Sequence, residues 1–401
     1  DFSMNKNYFQ VPSPVFNVKW IERKGVPHML YCGGGGSAKS GIKNELVAKK
    51  MVTTKDGTDL KPLASVDCGE RLCLSLDADK NGTFIAAGFY GGNVAIYGFR
   101  ADDKLAAVSD DFEGDKAVKD AAVDCVCFDP SENAARIAAA GEEGVVRVWA
   151  IEGKDEVMTS LADSADASED KSSSLLKISK PLELKGHRKP IESICFNPSG
   201  LRVCSASKDG TCRIWDAVKG DCLHELPAAD GIPATIVKKM TYNVMCRVCA
   251  FSPDGAKVFT VQGACRGDSY VTRWDLTDDK VNLEKVGKLS TGTPIKCLAI
   301  RSDGLFAAAG DVTGNIVLFD TASLKTIKSE PLHQLTVTGL SFRPSASEGD
   351  AFDLLTGSAD KTVMLASSNV PPGGLLSPEK MLPLLVALVL LILVAYNLSS
   401  L

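Results

Sequence analysis

Residues 186–216 read GHRKPIESICFNPSGLRVCSASKDGTCRIWD, and this stretch decides the fold. An apolar segment at 191–198 ends in an aromatic-x-Pro corner, and a second segment of small and apolar residues covers 202–207. A turn at Asp209 follows, and a third apolar segment ends at Trp215. Apolar and polar positions alternate with period two over about five residues, which predicts short antiparallel β-strands joined by tight turns.

The same pattern recurs in weaker form along the chain, which indicates an internal repeat. Weaker copies lie at 72–97, 123–149, 246–275, 295–320 and 337–363. Residues 15–47 form a further unit that lacks the full pattern, so the chain holds seven units in all. We therefore predict an all-β fold, with one domain over residues 1–366 and with residues 7–11 as an N-terminal strand that completes one sheet.

The clearest copy resembles a WD repeat, and this resemblance implies a seven-bladed β-propeller. It places His187, a serine at Ser205 or Ser207, Asp209 and Trp215 in a hydrogen-bonded tetrad that locks one blade. Blades that close radially leave only short, protected sheet edges.

Two polar stretches interrupt the repeats. Residues 151–180 hold seven acidic residues, four lysines and seven serines, which predicts a mobile insertion between two blades. Residues 367–380 contain PPGG and Ser-Pro, and this composition predicts an extended linker.

The segment after that linker carries no charge from Met381 to Leu401. A buried core helix would show a polar face, and this segment has none. We predict a transmembrane helix at 381–398 and a lumenal stub at 399–401, because about 18 helical residues span roughly 27 Å, which suits a thin bilayer such as that of the endoplasmic reticulum. The simplest orientation is single-pass type II, with the propeller in the cytosol.

Composition argues against several functions. A net charge of −5 without a basic run makes nucleic acid an unlikely partner. The thirteen cysteines are odd in number and lie mostly in apolar runs, which predicts reduced thiols. Cys246 and Cys249 have no second pair at zinc-finger spacing, so no structural zinc is expected. The sequence contains no Ser-His-Asp order and no pair of carboxylates that would indicate catalysis on a small-molecule substrate. We therefore do not predict an enzyme.

The stretch CGGGGSAKSGIKN at 32–44 is the candidate functional loop. It contains four consecutive glycines, Gly33, Gly34, Gly35 and Gly36, and such a run favours positive φ or close backbone approach. One interpretation is an ordinary hairpin tip. Another is a phosphate loop, which Ala38-Lys39-Ser40 matches except at one position. A phosphate loop must lead into a helix within a parallel sheet. Here Gly41 follows at once and the predicted fold is all-β, so the context argues against this interpretation.

A third interpretation comes from resemblance. Residues 15–18 (VFNV), the glycine run, residues 41–44 (GIKN), the propeller and the C-terminal span together resemble the Sec-twelve family. Those proteins are ER-membrane guanine-nucleotide exchange factors for the Sar-one GTPase, which starts the coat (coat complex II) of vesicles that travel from the ER to the Golgi. The resemblance implies that this chain promotes nucleotide release without covalent catalysis.

The resemblance also assigns roles within the loop. Gly33, Gly34, Gly35, Gly36 and Gly41 would shape the backbone, Ile42 would be an apolar wedge, and Asn44 would supply the key amide. A potassium ion would be held mainly by backbone carbonyls of this loop. The alternative is a membrane-anchored WD-repeat scaffold or cargo-exit facilitator that has no exchange activity.

Overall fold

The structure is a computed structural model that describes residues 4–36, 40–54, 57–117, 121–131, 135–163, 176–237, 240–276, 280–344 and 351–369. Its strands form seven antiparallel sheets of four or five strands, together with one small two-stranded sheet. The predicted all-β propeller of seven blades is therefore confirmed.

The chain begins with a single strand and then builds the first blades in sequence order. The bounds are β1 (Met4–Gln10); β2 (Val15–Arg23), β3 (Val26–Gly33), β4 (Glu45–Thr54) and β5 (Gly57–Asp67) in blade 1; β6 (Cys73–Ala78), β7 (Phe84–Phe89), β8 (Asn93–Phe99), β9 (Leu105–Ala107) and β10 (Phe112–Glu113) in blade 2.

Blades 3 and 4 follow the same plan. The bounds are β11 (Cys125–Phe128), β12 (Arg136–Ala140), β13 (Val145–Glu152), helix α1 (Lys154–Asp163), β14 (Lys177–Ile178) and β15 (Leu182–Lys185); then β16 (Ile191–Phe196), β17 (Arg202–Ser207), β18 (Cys212–Asp216) and β19 (Cys222–Leu226).

A small hairpin separates blade 4 from the last three blades. The bounds are β20 (Thr235–Val237) and β21 (Met240–Tyr242); β22 (Val244–Phe251), β23 (Lys257–Ala264), β24 (Ser269–Asp275) and β25 (Asn282–Ser290) in blade 5; β26 (Ile295–Ile300), β27 (Phe306–Asp311), β28 (Asn315–Asp320) and β29 (Thr326–Pro331) in blade 6; β30 (Val337–Phe342), β31 (Ala351–Ser358) and β32 (Thr362–Asn369) in blade 7.

The first strand of each blade lies on the inside of the ring. Each inner strand contacts the inner strands of both neighbouring blades, and the contact between β2 and β30 completes the circle. An apolar cluster fills each interface between adjacent blades. The middle strands β7, β12 and β27 carry buried alanines, and small side chains let neighbouring sheets stack closely near the axis. The core is thus divided among seven interfaces.

The last blade joins both ends of the described chain. Strand β1 pairs with β32 from Met4 opposite Ser368 to Gln10 opposite Thr362. The pairing continues where the Val11 amide donates to the Lys361 carbonyl at 3.0 Å. The prediction of an N-terminal closing strand is confirmed, and β32 carries the propeller to Asn369, beyond the predicted boundary at 366.

The insertion at 151–180 differs from the prediction. Its described part contains the end of β13, helix α1 and β14. Since β14 and β15 both pair with β13, the insertion lies within blade 3, and a mobile insertion between two blades was the wrong expectation for these residues. Val157 and Leu161 are 1% and 6% exposed and join the cluster between blades 2 and 3. Their i, i+4 spacing gives α1 one apolar stripe, which is enough to dock a short helix.

The predicted span at 381–398 and the stub at 399–401 lie outside the described residues, as does the linker from residue 370 onward. Among the helices that the structure does describe, none has the length and apolarity needed to cross a bilayer.

Candidate functional site

The loop at 33–44 connects β3 to β4, which are antiparallel neighbours in blade 1 with Gly33 opposite Glu45. A strand therefore follows the loop directly, where a phosphate loop would lead into a helix. The phosphate-loop interpretation is excluded by this local topology. Residues 37–39, which include Lys39, lie outside the described part of the loop.

Asn44 closes the base of the loop from inside. Its Nδ2 donates to the carbonyls of Gly36 and Gly69, both at 2.9 Å, and its Oδ1 accepts from the Gly36 amide at 3.1 Å. Its own carbonyl accepts from the Cys68 amide at 2.8 Å. The side chain is 3% exposed, so its amide organises the loop and does not project from it.

Three glycines are required by close packing. A Cβ at Gly34 would overlap with the Asn44 side chain, and one at Gly35 would overlap with Ser40 and Ile42. A Cβ at Gly33 would overlap with the Pro14 carbonyl, whose oxygen accepts from the Gly34 amide at 3.1 Å. At these three positions, neighbouring residues occupy the space that a side chain would need.

Two further glycines serve a different purpose. Gly36 has φ of 79° and Gly41 has φ of 67°, a region that L-residues with a Cβ seldom adopt. The two positions lie on either side of residues 37–39, at the points where the chain leaves and re-enters the base of the loop. The glycines of the predicted site therefore all have a structural reason.

The outer part of the loop presents both apolar and charged groups. Ile42 is half-buried, and its amide donates to Ser40 Oγ at 3.2 Å, which forms a tight turn next to Gly41. Lys43 Nζ lies 3.5 Å from Asp67 Oδ2, and both side chains are largely exposed. A hydrogen bond from the Gly69 amide, assisted by Lys43, lowers the pKa of Asp67. Such an exposed ion pair contributes little to stability.

The potassium prediction can be compared with the donors at the base of the loop. The carbonyl oxygens of Gly36 and Gly69 converge on one point, because each lies 2.9 Å from Asn44 Nδ2. Oxygen donors of this kind suit a hard cation. The Asn44 amide already donates to both, so an ion and this amide would compete for the same two carbonyls.

The predicted tetrad is present in blade 4. Trp215 Nε1 donates to Ser205 Oγ at 2.8 Å, and that oxygen lies 2.8 Å from His187 Nε2. His187 Nδ1 lies 2.9 Å from Asp209 Oδ2. Since indole nitrogen only donates and carboxylate only accepts, the hydroxyl donates to Nε2 and Nδ1 donates to the aspartate. Ser205, not Ser207, is the tetrad serine.

The tetrad holds its histidine neutral and its aspartate ionised. Burial lowers the pKa of His187, whose side chain has no exposed surface. Burial alone would raise the pKa of Asp209, but hydrogen bonds from the Arg188 amide, Thr211 and His187 outweigh it and lower this pKa to about 2. A buried polar chain with every partner satisfied stabilises one blade geometry.

Blade 7 contains a second network that the sequence did not reveal. His333 Nε2 lies 2.7 Å from Thr356 Oγ1, and Nδ1 lies 2.7 Å from Thr362 Oγ1. Asp360 is 3.5 Å from the same ring and also contacts Thr362. The histidine and its hydroxyl partner are 23 residues apart here and 18 residues apart in blade 4. The spacing in blade 7 therefore did not match the spacing of the tetrad. The available signal was the similarity of residues 357–362 to 206–211.

The predicted residues thus fall into two separate places. The tetrad lies in blade 4 and is structural, while Gly33, Gly34, Gly35, Gly36, Gly41, Ile42 and Asn44 come together in one loop of blade 1. Only the loop combines an ordered base with a partly exposed apolar side chain.

Comparison with known proteins first supports the assignment of the chain as a WD-repeat propeller. The family described as "WD domain, G-beta repeat" matches residues 179–216. A solved structure titled "COPII on membranes, outer coat vertex" contains a chain that superposes with a TM-score of 0.67 at 16% identity. The match covers 93% of this chain and 87% of that chain. This likeness concerns the propeller fold.

Among proteins of known function, this chain is similar to SEC12 proteins. The guanine nucleotide-exchange factor SEC12 of Rattus norvegicus is 21% identical over 392 residues, which cover 85% of this chain and 84% of the rat protein. SEC12-like protein 1 of Arabidopsis thaliana is 29% identical over 197 residues, 47% of this chain and 43% of the plant protein. The predicted resemblance to the Sec-twelve family is confirmed over most of the chain.

Pre-mRNA-processing factor 19 of Bos taurus is 25% identical over 159 residues, 40% of this chain. The chain spans only 28% of the length of that protein.

The buried histidines make stability depend on pH. Burial lowers the pKa of both His187 and His333, so below about pH 6.5 the unfolded chain binds protons that the folded chain does not. We expect the contribution of these histidines, and of His28, whose pKa burial also lowers, to the free energy of unfolding to fall as pH drops from 7 to 5. Asp124, whose pKa burial raises to about 6, contributes with the opposite sign. Each histidine should contribute at most about 1.4 kcal/mol per pH unit. Urea unfolding monitored by tryptophan fluorescence measures this dependence.

The matched variant for this measurement is His187→Gln. It should be less stable at pH 7 and should show a shallower pH dependence than the unmodified protein, because one titrating group is lost. Identical slopes for the two proteins would contradict the assignment of a neutral, buried His187.

Proposed function

We propose that this protein is a guanine-nucleotide exchange factor that activates a small GTPase of the Sar-one type at the ER membrane and so starts coat complex II assembly. The observation that carries the proposal is the loop at 33–44, whose base is closed by hydrogen bonds between Asn44 and Gly36 and whose Ile42 is half-buried. The similarity to SEC12 over 85% of the chain supports the same activity.

The mechanism is exchange of affinities and needs no covalent step. A factor that binds the nucleotide-free GTPase more tightly than the loaded one weakens nucleotide binding by the same factor, because the coupling is reciprocal. The residues of this chain therefore act by binding and by shape.

The base of the loop supplies preorganisation. Four consecutive glycines would lose much conformational entropy if they became ordered only on binding. The three hydrogen bonds of the Asn44 side chain, together with the bond from Gly34 to Pro14, order this backbone within the propeller itself. More of the interaction energy then remains for opening the nucleotide site.

Ile42 supplies the apolar contact. It is half-buried against the loop, and in the complex its remaining surface would be covered by the GTPase. Full burial of an isoleucine contributes roughly 1.5–3 kcal/mol, so covering the remaining half contributes about 0.8–1.5 kcal/mol. This corresponds to about a three- to tenfold effect on binding of the nucleotide-free GTPase. Asn44, in contrast, acts through the loop and is a positioning residue.

The decisive experiment measures GDP release from a Sar-one-type GTPase in the presence of residues 1–370, a fragment that retains every strand of the propeller. We expect acceleration by the unmodified fragment and a loss of about tenfold or more for Ile42→Asp, since a charge replaces the buried apolar contact. Ile327→Asp is the matched control, because Ile327 is 41% exposed on an outer strand of blade 6, and it should retain full activity.

The variant Asn44→Ala distinguishes a residue that positions the loop from one that contacts the GTPase. It should slow GDP release and also lower the thermal midpoint of the fragment, because the partly buried backbone groups of Gly36 and the carbonyl of Gly69 lose their hydrogen-bond partner. Ile42→Asp should slow release with an unchanged midpoint. Binding of the GTPase without any acceleration by the unmodified fragment would favour the scaffold and defeat the exchange proposal.

Potassium is a second part of the proposal and rests on the family resemblance. The carbonyls of Gly36 and Gly69 are the described residues that would hold the ion, which would neutralise their partial negative charge. We expect GDP release to slow when potassium chloride is replaced by sodium chloride at equal ionic strength. Equal rates in both salts would show that the Asn44 amide alone is sufficient to close the loop.

Membrane attachment is the third part. We propose that residues 381–398 anchor the chain in the ER membrane as a single-pass type II protein with a cytosolic propeller, because this segment is uncharged and long enough to span a thin bilayer. The full chain expressed in cells should stay in the membrane pellet after alkaline carbonate extraction, and the fragment 1–370 should be released. Release of the full chain would contradict the proposal.

A further inference from the structure

Four cysteines from two blades meet between blades 4 and 5. Cys195, Cys204 and Cys212 lie on β16, β17 and β18 of blade 4, and Cys249 lies on β22 of blade 5. Cys204, Cys212 and Cys249 are buried, while Cys195 is half-buried on the inner strand of its blade. They belong to the apolar cluster that also includes Trp274 and Ile214.

The sulfur atoms of these residues are close to one another. The Sγ atoms of Cys195, Cys204 and Cys249 all lie within 4.8 Å of each other. The Sγ atom of Cys212 lies 3.1 Å from that of Cys204. Within the described part of the chain, this is the one group of three or more ligating side chains that has such a separation.

We propose that this cluster is a structural zinc site, in which Cys195, Cys204 and Cys249 bind the ion and Cys212 supplies the fourth sulfur. Zinc bound to four sulfurs at about 2.3 Å places the sulfurs roughly 3.8 Å apart. The Sγ atoms of Cys195, Cys204 and Cys249 must therefore approach one another by no more than about 1 Å. Cys212 Sγ lies 3.1 Å from Cys204 Sγ but not within 4.8 Å of all three, so this side chain must rotate further to become the fourth ligand. The site would add a metal link between two blades that also contact each other through apolar packing and through the ion pair of Arg247 with Glu192.

The donor set selects the kind of ion. Thiolate sulfur favours zinc, copper(I) and iron–sulfur clusters over hard cations. Three sulfurs that lie close together, with a fourth thiol beside one of them, can supply the tetrahedral set of a structural zinc ion, which is closed to substrate and water. A disulfide between Cys204 and Cys212 would use two of these thiols and leave the other two without a role.

Neighbouring polar groups can support the bound state. The Cys195 thiol donates to the Cys249 carbonyl at 3.6 Å, and the Cys249 thiol donates to the Ser193 carbonyl at 3.5 Å. Ser193 Oγ lies 3.8 Å from Cys249 Sγ, so its hydroxyl is placed to donate to a thiolate once the ion is bound. Partners of this type orient the ligands of metal sites.

Zinc binding exchanges protons for the ion without a redox step. A cysteine binds zinc as the thiolate, so each ligating thiol must lose its proton. Zinc displaces the thiol protons to solvent and forms zinc–sulfur bonds, and its affinity therefore rises with pH. Half-buried Cys195 is the ligand closest to solvent and the first that an entering ion would meet.

The full chain purified in detergent under reducing conditions provides the test. We expect about one zinc per chain by elemental analysis, and a content at least about tenfold lower in Cys204→Ser and in Cys249→Ser. Cys222→Ser is the matched control because Cys222 is exposed on β19, and it should keep its zinc. Cobalt substitution should add thiolate-to-metal charge-transfer absorbance that Cys249→Ser lacks.

A titration of the unmodified protein covers the case in which a variant fails to fold. After removal of metal with a chelator, added zinc should raise the thermal midpoint, because an ion that binds only the folded state stabilises it. The proposal is overturned if the purified chain holds no zinc and its midpoint does not respond. It is also overturned if mass spectrometry without reduction finds Cys204 linked to Cys212. GDP release is not measured here, so the outcome is independent of the exchange activity.

Discussion

The pairing of β1 with β32 is the interaction on which the propeller depends. These seven backbone pairs join residues more than 350 positions apart and turn a row of sheets into a closed ring. In a closed ring every blade has two neighbours, so both faces of each sheet are covered. An open row would leave the apolar faces of blades 1 and 7 in water, including Val15 and Leu365.

Ring closure also determines what the loop at 33–44 can do. Strands β3 and β4 are held on both sides, by β2 and β5, and blade 1 in turn packs against blades 2 and 7. Asn44 directly precedes β4, and its side chain binds the backbone of Gly36 at the end of the glycine run. These hydrogen bonds tie the base of the loop to the blade. The loop is therefore a local structure whose precision comes from the whole ring.

The sequence predicted features that depend on neighbouring residues in the chain. The tetrad of blade 4 was recognised because its four members fall within one short repeat, and the number of blades followed from the repeat. The network around His333 was missed because five more residues separate the histidine from its hydroxyl partner than in blade 4. Helix α1 was missed because its apolar stripe consists of two residues, Val157 and Leu161, among charged neighbours.

Apart from the closing strand near the N-terminus, features that depend on distant residues could not be predicted. Gly33 is required because the Pro14 carbonyl passes close to it, and this approach becomes visible only when β2 and β3 are paired. The cysteine cluster has the same character. Cys195 and Cys249 are 54 residues apart and come together only because blades 4 and 5 are adjacent. Spacing rules for metal sites describe ligands within one local unit and do not extend to this case.

The closing pair also has a consequence for how the chain reaches its final state. Strand β1 is synthesised first, yet its partner β32 is one of the last parts of the propeller to leave the ribosome. Blades 1 to 6 can form in order as they emerge, but blade 7 must wait with three strands until the N-terminal segment returns. Contacts between such distant residues form slowly because a long loop must close first. Until that moment β32 presents an unpaired edge, so the interval before closure is when the protein most needs protection from aggregation.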